Sequence, residues 1–361
     1  MFGVNCNLDG DIRSIVLDDW GLSGTIPPEV GHLYRLENLI LKNNPSLIGW
    51  IPVTFSHLGN LKQLALYNNN LSGVIPDIFE HTNLETLVLK NNRMEGIVPF
   101  TQLSSTGVKY LGLSHNRFSS RLETAINDMD TIEYLYLDHN IMRGTIPVHI
   151  GKLSHLKSID LGNNEFTGSI PTEVGQWNRL EYLSVNNNNL QGQIPMNIGM
   201  LTSLKTLKVN SNMLTGVVPA SISNMINLKS LQLYENDLSG VFPESVLQLQ
   251  NLEILSLSSN RLTGTIPTSI IYLSPTLKGL YLSDNYFDGT IPSQLGAFTS
   301  LEALFLDTNK LSGPIPDSFG GLEDLKQLYL FRNQLTGTVP ASLQNLKDLN
   351  GIGLETNNIS G

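Results

Sequence analysis

Residues 180–195 have the sequence LEYLSVNNNNLQGQIP, in which regularly spaced apolar residues surround four consecutive asparagines. The segment L-x-x-L-x-V alternates apolar and polar positions, which is typical of a short strand with one buried face. Pro195 cannot donate to a continued strand ladder, so we expect the chain to turn away there. Amides beside a buried strand need hydrogen-bond partners, because buried polar groups are normally paired.

The pattern L-x-x-L-x-L-x-x-N-x-L-x-G-x-I-P recurs along the chain with a period of about 24 residues. Fifteen repeats begin at Ile12, Leu36, Leu61, Leu84, Val108, Ile132, Leu156, Leu180, Leu204, Leu228, Leu252, Leu277, Leu301, Leu325 and Leu349. One repeat cannot bury its own apolar face, whereas a stack of repeats can. The sequence therefore predicts a single array over residues 12–361, with repeats of 23–25 residues and a truncated last repeat.

Each repeat is expected to contribute one short strand that lies parallel to the strand of the next repeat. The segment after the proline is too short for a long helix, so turns and 3-10 segments are expected there. Regularity fails around residues 99–131, where PFTQLSSTG shifts the pattern and FSSRLETA lacks both its glycine and its proline. A local change of curvature is predicted there.

The G-x-I-P element and the segment x-x-h-G-x-L that follows it, where h is an apolar residue, resemble plant-type leucine-rich repeats. The stretches LSGTIPPEVGHL (22–33), FTGSIPTEVGQW (166–177) and LSGPIPDSFGGL (311–322) fit the same template. The resemblance covers residues 12–361. It implies an α/β leucine-rich repeat solenoid, a right-handed superhelix with one long parallel sheet on its concave face and turns or 3-10 segments on its convex face.

Residues 1–11 resemble the end of a plant-type N-terminal cap, which usually carries a second cysteine earlier in the chain. Cys6 is the only cysteine in the sequence. The last repeat also lacks a polar capping unit, so the resemblance implies truncation at both ends. Trp20 occupies the asparagine position of the first repeat, as a capping turn could.

Asparagine recurs at one position of every later repeat. These residues are Asn44, Asn69, Asn92, Asn116, Asn140, Asn164, Asn188, Asn212, Asn236, Asn260, Asn285, Asn309, Asn333 and Asn357. A side-chain amide there can satisfy backbone groups at the end of each strand. We therefore predict a structural asparagine ladder that binds no ligand, and we place Asn186, Asn187 and Asn189 at exposed positions.

Composition excludes several classes of function. The net charge is −10 and no basic cluster is present, which argues against nucleic acid and anionic membrane surfaces as partners. No apolar run approaches the ~20 residues of a membrane helix, and no signal segment is apparent. Catalytic motifs are absent as well. The sequence therefore predicts no enzymatic activity, no cofactor and no membrane insertion in this segment.

The exposed strand positions carry two groups of candidate binding residues. The first contains Tyr110, His115, Tyr134, Tyr136, Asp138, His139 and Tyr182; the second contains Tyr281, Phe305, Tyr329, Phe331, Arg332, Asp284 and Asp307. Tyrosine is enriched at protein interfaces, although it also favours strands. His115 and His139 are neighbours in one column, but a third ligand of suitable geometry is not evident from the sequence, so no metal site is predicted.

We predict recognition of a protein or peptide on the concave face, with a co-receptor as a further candidate partner. The resemblance implies the extracellular region of a receptor-like kinase or receptor-like protein, or a secreted inhibitor of pectin-degrading enzymes such as a polygalacturonase-inhibiting protein. An extracellular or cell-surface location follows, with Asn70 and Asn358 as glycosylation candidates. A kinase domain beyond residue 361 would fit the resemblance. The alternative is a structural or intracellular scaffold that spaces other domains.

Overall fold

A computed structural model describes residues 3–79, 82–122, 126 and 128–360. The chain divides into two compact units, Met1–Leu180 and Glu181–Gly361. In both units, short strands and 3-10 helices alternate along the chain. Among the described residues, no helix combines the length and the apolar character that a bilayer crossing requires.

The first unit contains a sheet whose strands follow one another in sequence order. They are β1 (Val4–Cys6), β2 (Ile12–Asp18), β4 (Asn38–Lys42), β6 (Gln63–Ala65), β8 (Thr86–Val88), β10 (Tyr110–Gly112), β12 (Tyr134–Tyr136) and β14 (Ser158–Asp160). β1 is antiparallel to β2, and every later pair in the unit is parallel. Equivalent repeat positions face each other, since Tyr110 pairs with Tyr134.

The second unit repeats this arrangement. Its strands are β16 (Tyr182–Ser184), β18 (Thr206–Lys208), β20 (Ser230–Gln232), β22 (Ile254–Ser256), β24 (Gly279–Tyr281), β26 (Ala303–Phe305), β28 (Gln327–Tyr329) and β30 (Gly351–Gly353). All neighbouring pairs are parallel and in repeat register. The parallel sheet predicted from the repeat pattern is confirmed within each unit. The central leucine of each repeat is buried, as at Leu207 and Leu304.

A second set of short strands follows the asparagine position, and the repeat pattern did not predict it. In the first unit these strands are β3 (Ser23–Thr25), β5 (Ser46–Gly49), β7 (Asn70–Gly73), β9 (Arg93–Gly96), β11 (Arg117–Phe118), β13 (Arg143–Thr145) and β15 (Glu165–Gly168). In the second unit they are β17 (Asn189–Gln193), β19 (Met213–Gly216), β21 (Asp237–Val241), β23 (Arg261–Thr265), β25 (Tyr286–Asp288), β27 (Ser312–Gly313) and β29 (Gln334–Leu335). Neighbouring members pair in parallel where the leucine of L-x-G-x-I-P turns inward.

The predicted 3-10 segments are confirmed. They span Pro28–His32, Val53–His57, Val148–Lys152 and Thr172–Gln176 in the first unit, and Met196–Met200, Ala220–Asn224, Glu244–Gln248, Thr268–Leu273, Ser293–Ala297, Asp317–Gly321 and Ala341–Asn345 in the second. A proline directly precedes each of them, as Pro195 and Pro292 do. Its fixed φ and missing N–H end the strand and start the helical turn.

The irregular repeat differs from this scheme. Phe100–Ser104 forms a short α-helix, α1, after Pro99. The following second-set strand, β11, has two residues, and an isolated bridge joins Arg121 to Arg143. Residues 123–125, the end of the stretch FSSRLETA, lie outside the described residues. The predicted change of curvature stays a prediction.

The segment before residue 12 forms the antiparallel strand β1, and Cys6 within it is exposed. Trp20 is about half exposed, and its backbone N–H donates to the side chain of Asn44. The first repeat therefore joins the asparagine ladder through its backbone although it lacks an asparagine. The division into a cap remnant over residues 1–11 and one array over residues 12–361 stays a prediction.

Candidate functional site

The sheet face is defined here as the exposed side of the parallel strands β2 to β14 and of β16 to β30. Residues that flank the buried central leucine project from it, such as Tyr281 beside Leu280. The period of two along each strand produces this alternation. Because equivalent positions are in register, residues one repeat apart become lateral neighbours on the face.

The side chains of the ladder asparagines form hydrogen bonds with the backbone. The Oδ1 atom of Asn236 accepts from the N–H of Leu214 at 3.0 Å. Its Nδ2 donates to the carbonyls of Val209, Leu233 and Tyr234 at 3.1–3.2 Å. The same pattern recurs around most of the other ladder positions, for example at Asn260. These amides satisfy backbone groups where the strands end, which leaves little capacity for a ligand.

The residue before each ladder position has a left-handed backbone conformation. These residues are Asp19, Asn43, Asn68, Asn91, His115, His139, Asn163, Asn187, Ser211, Glu235, Ser259, Asp284, Thr308, Arg332 and Thr356, with φ between 50° and 59°. Asn, Asp and His tolerate this conformation better than most residues, and they fill nine of these fifteen positions. The repeat pattern did not predict this constraint, although the polar composition of the column was a usable signal. It gives Asn187 a structural role in addition to its exposure.

Exposed ion pairs link the strands at the first position after the leading leucine. Glu253 contacts Lys229 and Lys278, each at 3.0 Å, and Lys205 contacts Glu181 at 2.7 Å. Lys205 and Lys229 are adjacent like charges, and each is paired with a glutamate on its other side. Hydrogen bonds from Lys278 and then Lys229 lower the pKa of Glu253. The column therefore supports the strand register, although each exposed pair contributes only weakly.

Acidification is expected to remove part of this support. A carboxyl group with a lowered native pKa stabilises the fold above its unfolded pKa, and this contribution is lost as the pH falls through the native pKa. Urea unfolding of the wild type and of Glu253→Gln, measured between roughly pH 6 and pH 3, is expected to show a stability gap that closes on acidification. Glu323→Gln is the control, because Glu323 is exposed and outside the ion pairs of the described residues. A gap that stays constant with pH would contradict the assignment.

A contiguous group of four aromatic rings lies on the sheet face of the second unit. We call Tyr281, Phe305, Tyr329 and Phe331 the aromatic patch. Ring centroids are 5.0 Å apart between Tyr281 and Phe305, 4.6 Å between Phe305 and Tyr329, and 6.1 Å between Tyr329 and Phe331. All four side chains are half-buried, and partial burial raises the pKa of Tyr281. The sequence predicted these neighbours, and the structure places them in ring contact.

Glycines make room for these rings. A Cβ atom added to Gly279 would lie 2.5 Å from the Tyr281 ring, and one added to Gly353 would lie 2.9 Å from the Phe331 ring. At Gly351 the nearest atom would be the Tyr329 hydroxyl, also at 2.9 Å. Tyr281, Tyr329 and Phe331 therefore lie over positions without side chains, and all four rings keep part of their surface exposed.

The polar residues predicted to flank the aromatic patch differ in their exposure to solvent. Arg332 and Asp284 are exposed, at left-handed positions of their repeats. Asp307 is buried, with 8% of its surface exposed. The hydroxyls of Ser283 and Thr308 donate to the two oxygens of its carboxylate. Asp307 therefore supports the turn beneath the patch, whereas Arg332 and Asp284 form its polar border.

Three tyrosines form a smaller group on the sheet face of the first unit. The ring centroid of Tyr110 lies 5.7 Å from that of Tyr134 and 5.5 Å from that of Tyr136. The ammonium of Lys157 lies 5.8 Å from the Tyr134 ring centroid. Tyr182, which the sequence analysis assigned to the same group, belongs to the second unit, where Lys208 lies over its ring.

His115 and His139 lie beside this group and are stacked, with ring centroids 3.9 Å apart and planes at 19°. The Nδ1 of His139 is 2.9 Å from Oδ2 of Asp138, and the Nε2 of His115 is 4.0 Å from the same oxygen. Partial burial, followed by the neighbouring His139, lowers the pKa of His115. Strand register thus brings one carboxylate oxygen close to a nitrogen of each of two stacked imidazoles.

The glycosylation candidates lie at accessible positions. Asn70 starts strand β7 and is half-buried, and Asn358 is exposed. The hydroxyls of Ser72 and Ser360, in the same two sequons, donate to the carbonyls of Gly49 and Gly337. Glycosylation of either asparagine stays a prediction.

Family comparisons identify the repeat. A model described as a leucine-rich repeat matches residues 34–94, 82–142, 275–335 and 299–359, and a second, described as a leucine-rich repeat region, matches residues 146–262. The chain is a leucine-rich repeat protein. The family resemblance drawn from the G-x-I-P template is therefore confirmed. No curated protein matches the chain significantly.

Several plant receptor structures resemble this leucine-rich repeat protein. A TDR receptor is 30% identical with a TM-score of 0.86, and the match covers 95% of this chain and 64% of that one. The Arabidopsis receptor kinase HAESA, in complex with the peptide hormone IDA and the co-receptor SERK1, is 31% identical with a TM-score of 0.80, covering 100% and 69%. The plant peptide hormone receptor RGFR1, in complex with RGF2, is 28% identical with a TM-score of 0.67, covering 99% and 72%. The chain thus spans about two thirds of the length of these relatives.

Proposed function

We propose that this leucine-rich repeat protein is a non-catalytic recognition module that binds an extended peptide on its sheet face. The observation that carries the proposal is the aromatic patch. Large aromatic side chains supply most of the binding energy at many interfaces, because they bury a large area at a low cost in conformational entropy. Four such rings in continuous contact, each partly exposed, offer an anchor for apolar side chains of a peptide.

The environment of the patch favours a peptide over a small molecule. The rings extend across strands β24, β26 and β28 of an open sheet, whereas small-molecule sites are usually concave and enclose most of the ligand. Arg332 and Asp284 at the border can pair with a carboxylate and a cationic group of the ligand. The patch thus combines an apolar centre with a polar border, as specific interfaces do.

The relatives support the biological setting. The HAESA structure is a complex with a peptide hormone and a co-receptor, and the RGFR1 structure is a complex with RGF2. By analogy, this chain is the ligand-binding region of an extracellular or cell-surface receptor, with a co-receptor as its second partner. The tyrosine group of the first unit is a further contact surface. The alternative role as a spacer between domains would not require a solvent-facing aromatic patch.

Substitution of the aromatic patch is expected to weaken recognition. Phage-displayed random peptides can be selected on the immobilised wild-type chain, and the best synthetic peptide can then be titrated by calorimetry. Phe305→Ala and Tyr329→Ala are each expected to weaken its binding by at least about tenfold, since each removes a ring from the centre of the patch.

Tyr272→Ala is the matched control. Tyr272 is 61% exposed and lies on the 3-10 helix Thr268–Leu273, outside the sheet face. Its removal is expected to leave binding unchanged, and circular dichroism checks that all variants fold. Equal peptide affinity for the wild type and for Phe305→Ala would reject the patch as the binding site.

A further inference from the structure

The turns that follow strands β10 and β12 bring three potential metal ligands together. One ligand atom from each of His115, Asp138 and His139 lies within 4.8 Å of the other two. Asp138 and His139 follow β12, and His115 occupies the equivalent left-handed position one repeat earlier. The parallel register therefore builds a group with two imidazoles and one carboxylate from residues that are far apart in sequence.

We propose that His115, Asp138 and His139 bind one divalent transition-metal ion of the zinc class at the edge of the sheet face. Imidazole nitrogen and carboxylate oxygen are donors that Zn²⁺ accepts in proteins. The site is independent of the aromatic patch, which lies in the other unit.

The spacing of the three donor atoms is close to that around such an ion. Ligand bonds of about 2.0–2.2 Å around a tetrahedral Zn²⁺ place neighbouring donor atoms roughly 3.3 Å apart. The distances of 2.9 Å and 4.0 Å from Asp138 Oδ2 to the two histidine nitrogens lie on either side of that value. The two rings are stacked 3.9 Å apart at 19°, and an ion bound by an imidazole lies close to the plane of that ring, so binding requires the rings to rotate out of the stack.

Ser114 supports the arrangement. Its hydroxyl donates to Oδ1 of Asp138, which leaves Oδ2 directed at the histidines. Hydrogen bonds of this kind orient metal-binding carboxylates and increase metal affinity. The side chain of Asp138 is only 15% exposed, so packing also restricts its orientation.

The second unit contains the same serine–aspartate pair without the histidines. Ser283 donates to Asp307 as Ser114 does to Asp138, but the two left-handed positions hold Asp284 and Thr308. The pair on its own is therefore a turn element. What distinguishes the first unit is an imidazole at both left-handed positions, each with a nitrogen within 4.0 Å of one carboxylate oxygen.

The histidines remain open to solvent, with side-chain exposures of 44% and 45%. Three protein donors leave at least one position of a four-coordinate ion for water or for a donor group of a bound partner. All three residues were candidates from the sequence, but their proximity depends on side-chain positions that the repeat pattern does not specify.

The test is a titration of the full chain with ZnCl₂ in a non-chelating buffer, followed by calorimetry. All proteins carry Cys6→Ser, since the exposed thiol is another zinc ligand. We expect one saturable site in this background. His115→Asn and His139→Asn are each expected to weaken binding at least about tenfold, and asparagine suits the left-handed backbone at both positions.

Two further measurements separate ligand loss from general effects. His149→Asn removes an exposed histidine from a 3-10 helix of the same unit and is expected to bind Zn²⁺ as the background protein does. CoCl₂ is expected to give a visible ligand-field band that disappears in the His115 and His139 variants but not in His149→Asn. Absence of saturable binding in the background protein, or unchanged binding in folded His115→Asn and His139→Asn, would overturn the proposal.

Discussion

Replacing Asn236 by alanine is expected to lower the free energy of unfolding by about 3 kcal/mol, because several buried backbone groups lose their partner together. The amide is buried, with 8% of its surface exposed. Its Oδ1 accepts a hydrogen bond from the N–H of Leu214 in the preceding repeat, and its Nδ2 donates to the carbonyls of Val209 and Leu233. Alanine cannot replace these bonds, and water has poor access to the buried turn. Urea unfolding followed by circular dichroism measures the loss.

Asn189→Ala is the control for this prediction. Asn189 is also an asparagine beside a ladder position, but its side chain is exposed on strand β17. Its replacement is expected to change stability by less than about 0.5 kcal/mol, as at most exposed sites. Hydrogen exchange at the Leu214 N–H gives a local measure, since that N–H is expected to lose protection in Asn236→Ala only. Similar stability losses in the two variants would contradict the structural ladder.

This contrast accounts for the four asparagines at residues 186–189. Asn188 is buried, and its Nδ2 donates to the carbonyls of Val185 and Asn186. Asn187 has a φ of 50° and fills the left-handed turn position. Asn186 accepts from the hydroxyl of Ser184 and is half-buried, whereas Asn189 is exposed. Asn188 therefore belongs to the ladder, and Asn187 fills a left-handed backbone position. Asn186 and Asn189 belong to neither set.

The repeat period was sufficient to predict the sheet, because burial of leucine at alternate positions leaves few other arrangements for a short strand. The same reasoning predicted which aromatic rings become neighbours, since register aligns equivalent positions such as Tyr281 and Phe305. The second set of strands was missed because its segments are short and interrupted by a left-handed glycine, as at Gly264 with a φ of 76°. A left-handed backbone conformation is only weakly indicated by the alternation of apolar and polar residues.

Side-chain availability was harder to predict than side-chain position. Asp307 and Asp138 occupy equivalent positions, and each accepts from a serine of the preceding repeat. The sequence showed neither hydrogen bond, so Asp307 was expected to be an accessible ligand contact. The sequence likewise did not show that the Asp138 carboxylate lies close to the histidines, which is seen only in the structure. Contacts between repeats depend on rotamers, which a one-dimensional pattern does not specify.

Replacing Gly296 by alanine is expected to destabilise the stack by about 2–3 kcal/mol through overpacking. A Cβ atom at this position would lie 2.2 Å from the carbonyl oxygen of Ser318 and 2.6 Å from its Cβ. The Ser318 hydroxyl also donates to the Ser293 carbonyl at 2.7 Å, so the two 3-10 helices cannot separate without losing that bond. Close approach, and not a positive φ, therefore explains this glycine of the x-x-h-G-x-L segment.

Gly107→Ala is the control, because a Cβ atom there would meet nothing within 4 Å. Urea unfolding of this variant is expected to show a change in stability of less than about 0.5 kcal/mol. Equal stability of Gly296→Ala and the wild type would mean that neighbouring repeats can shift apart freely, contrary to the packing described for these helices.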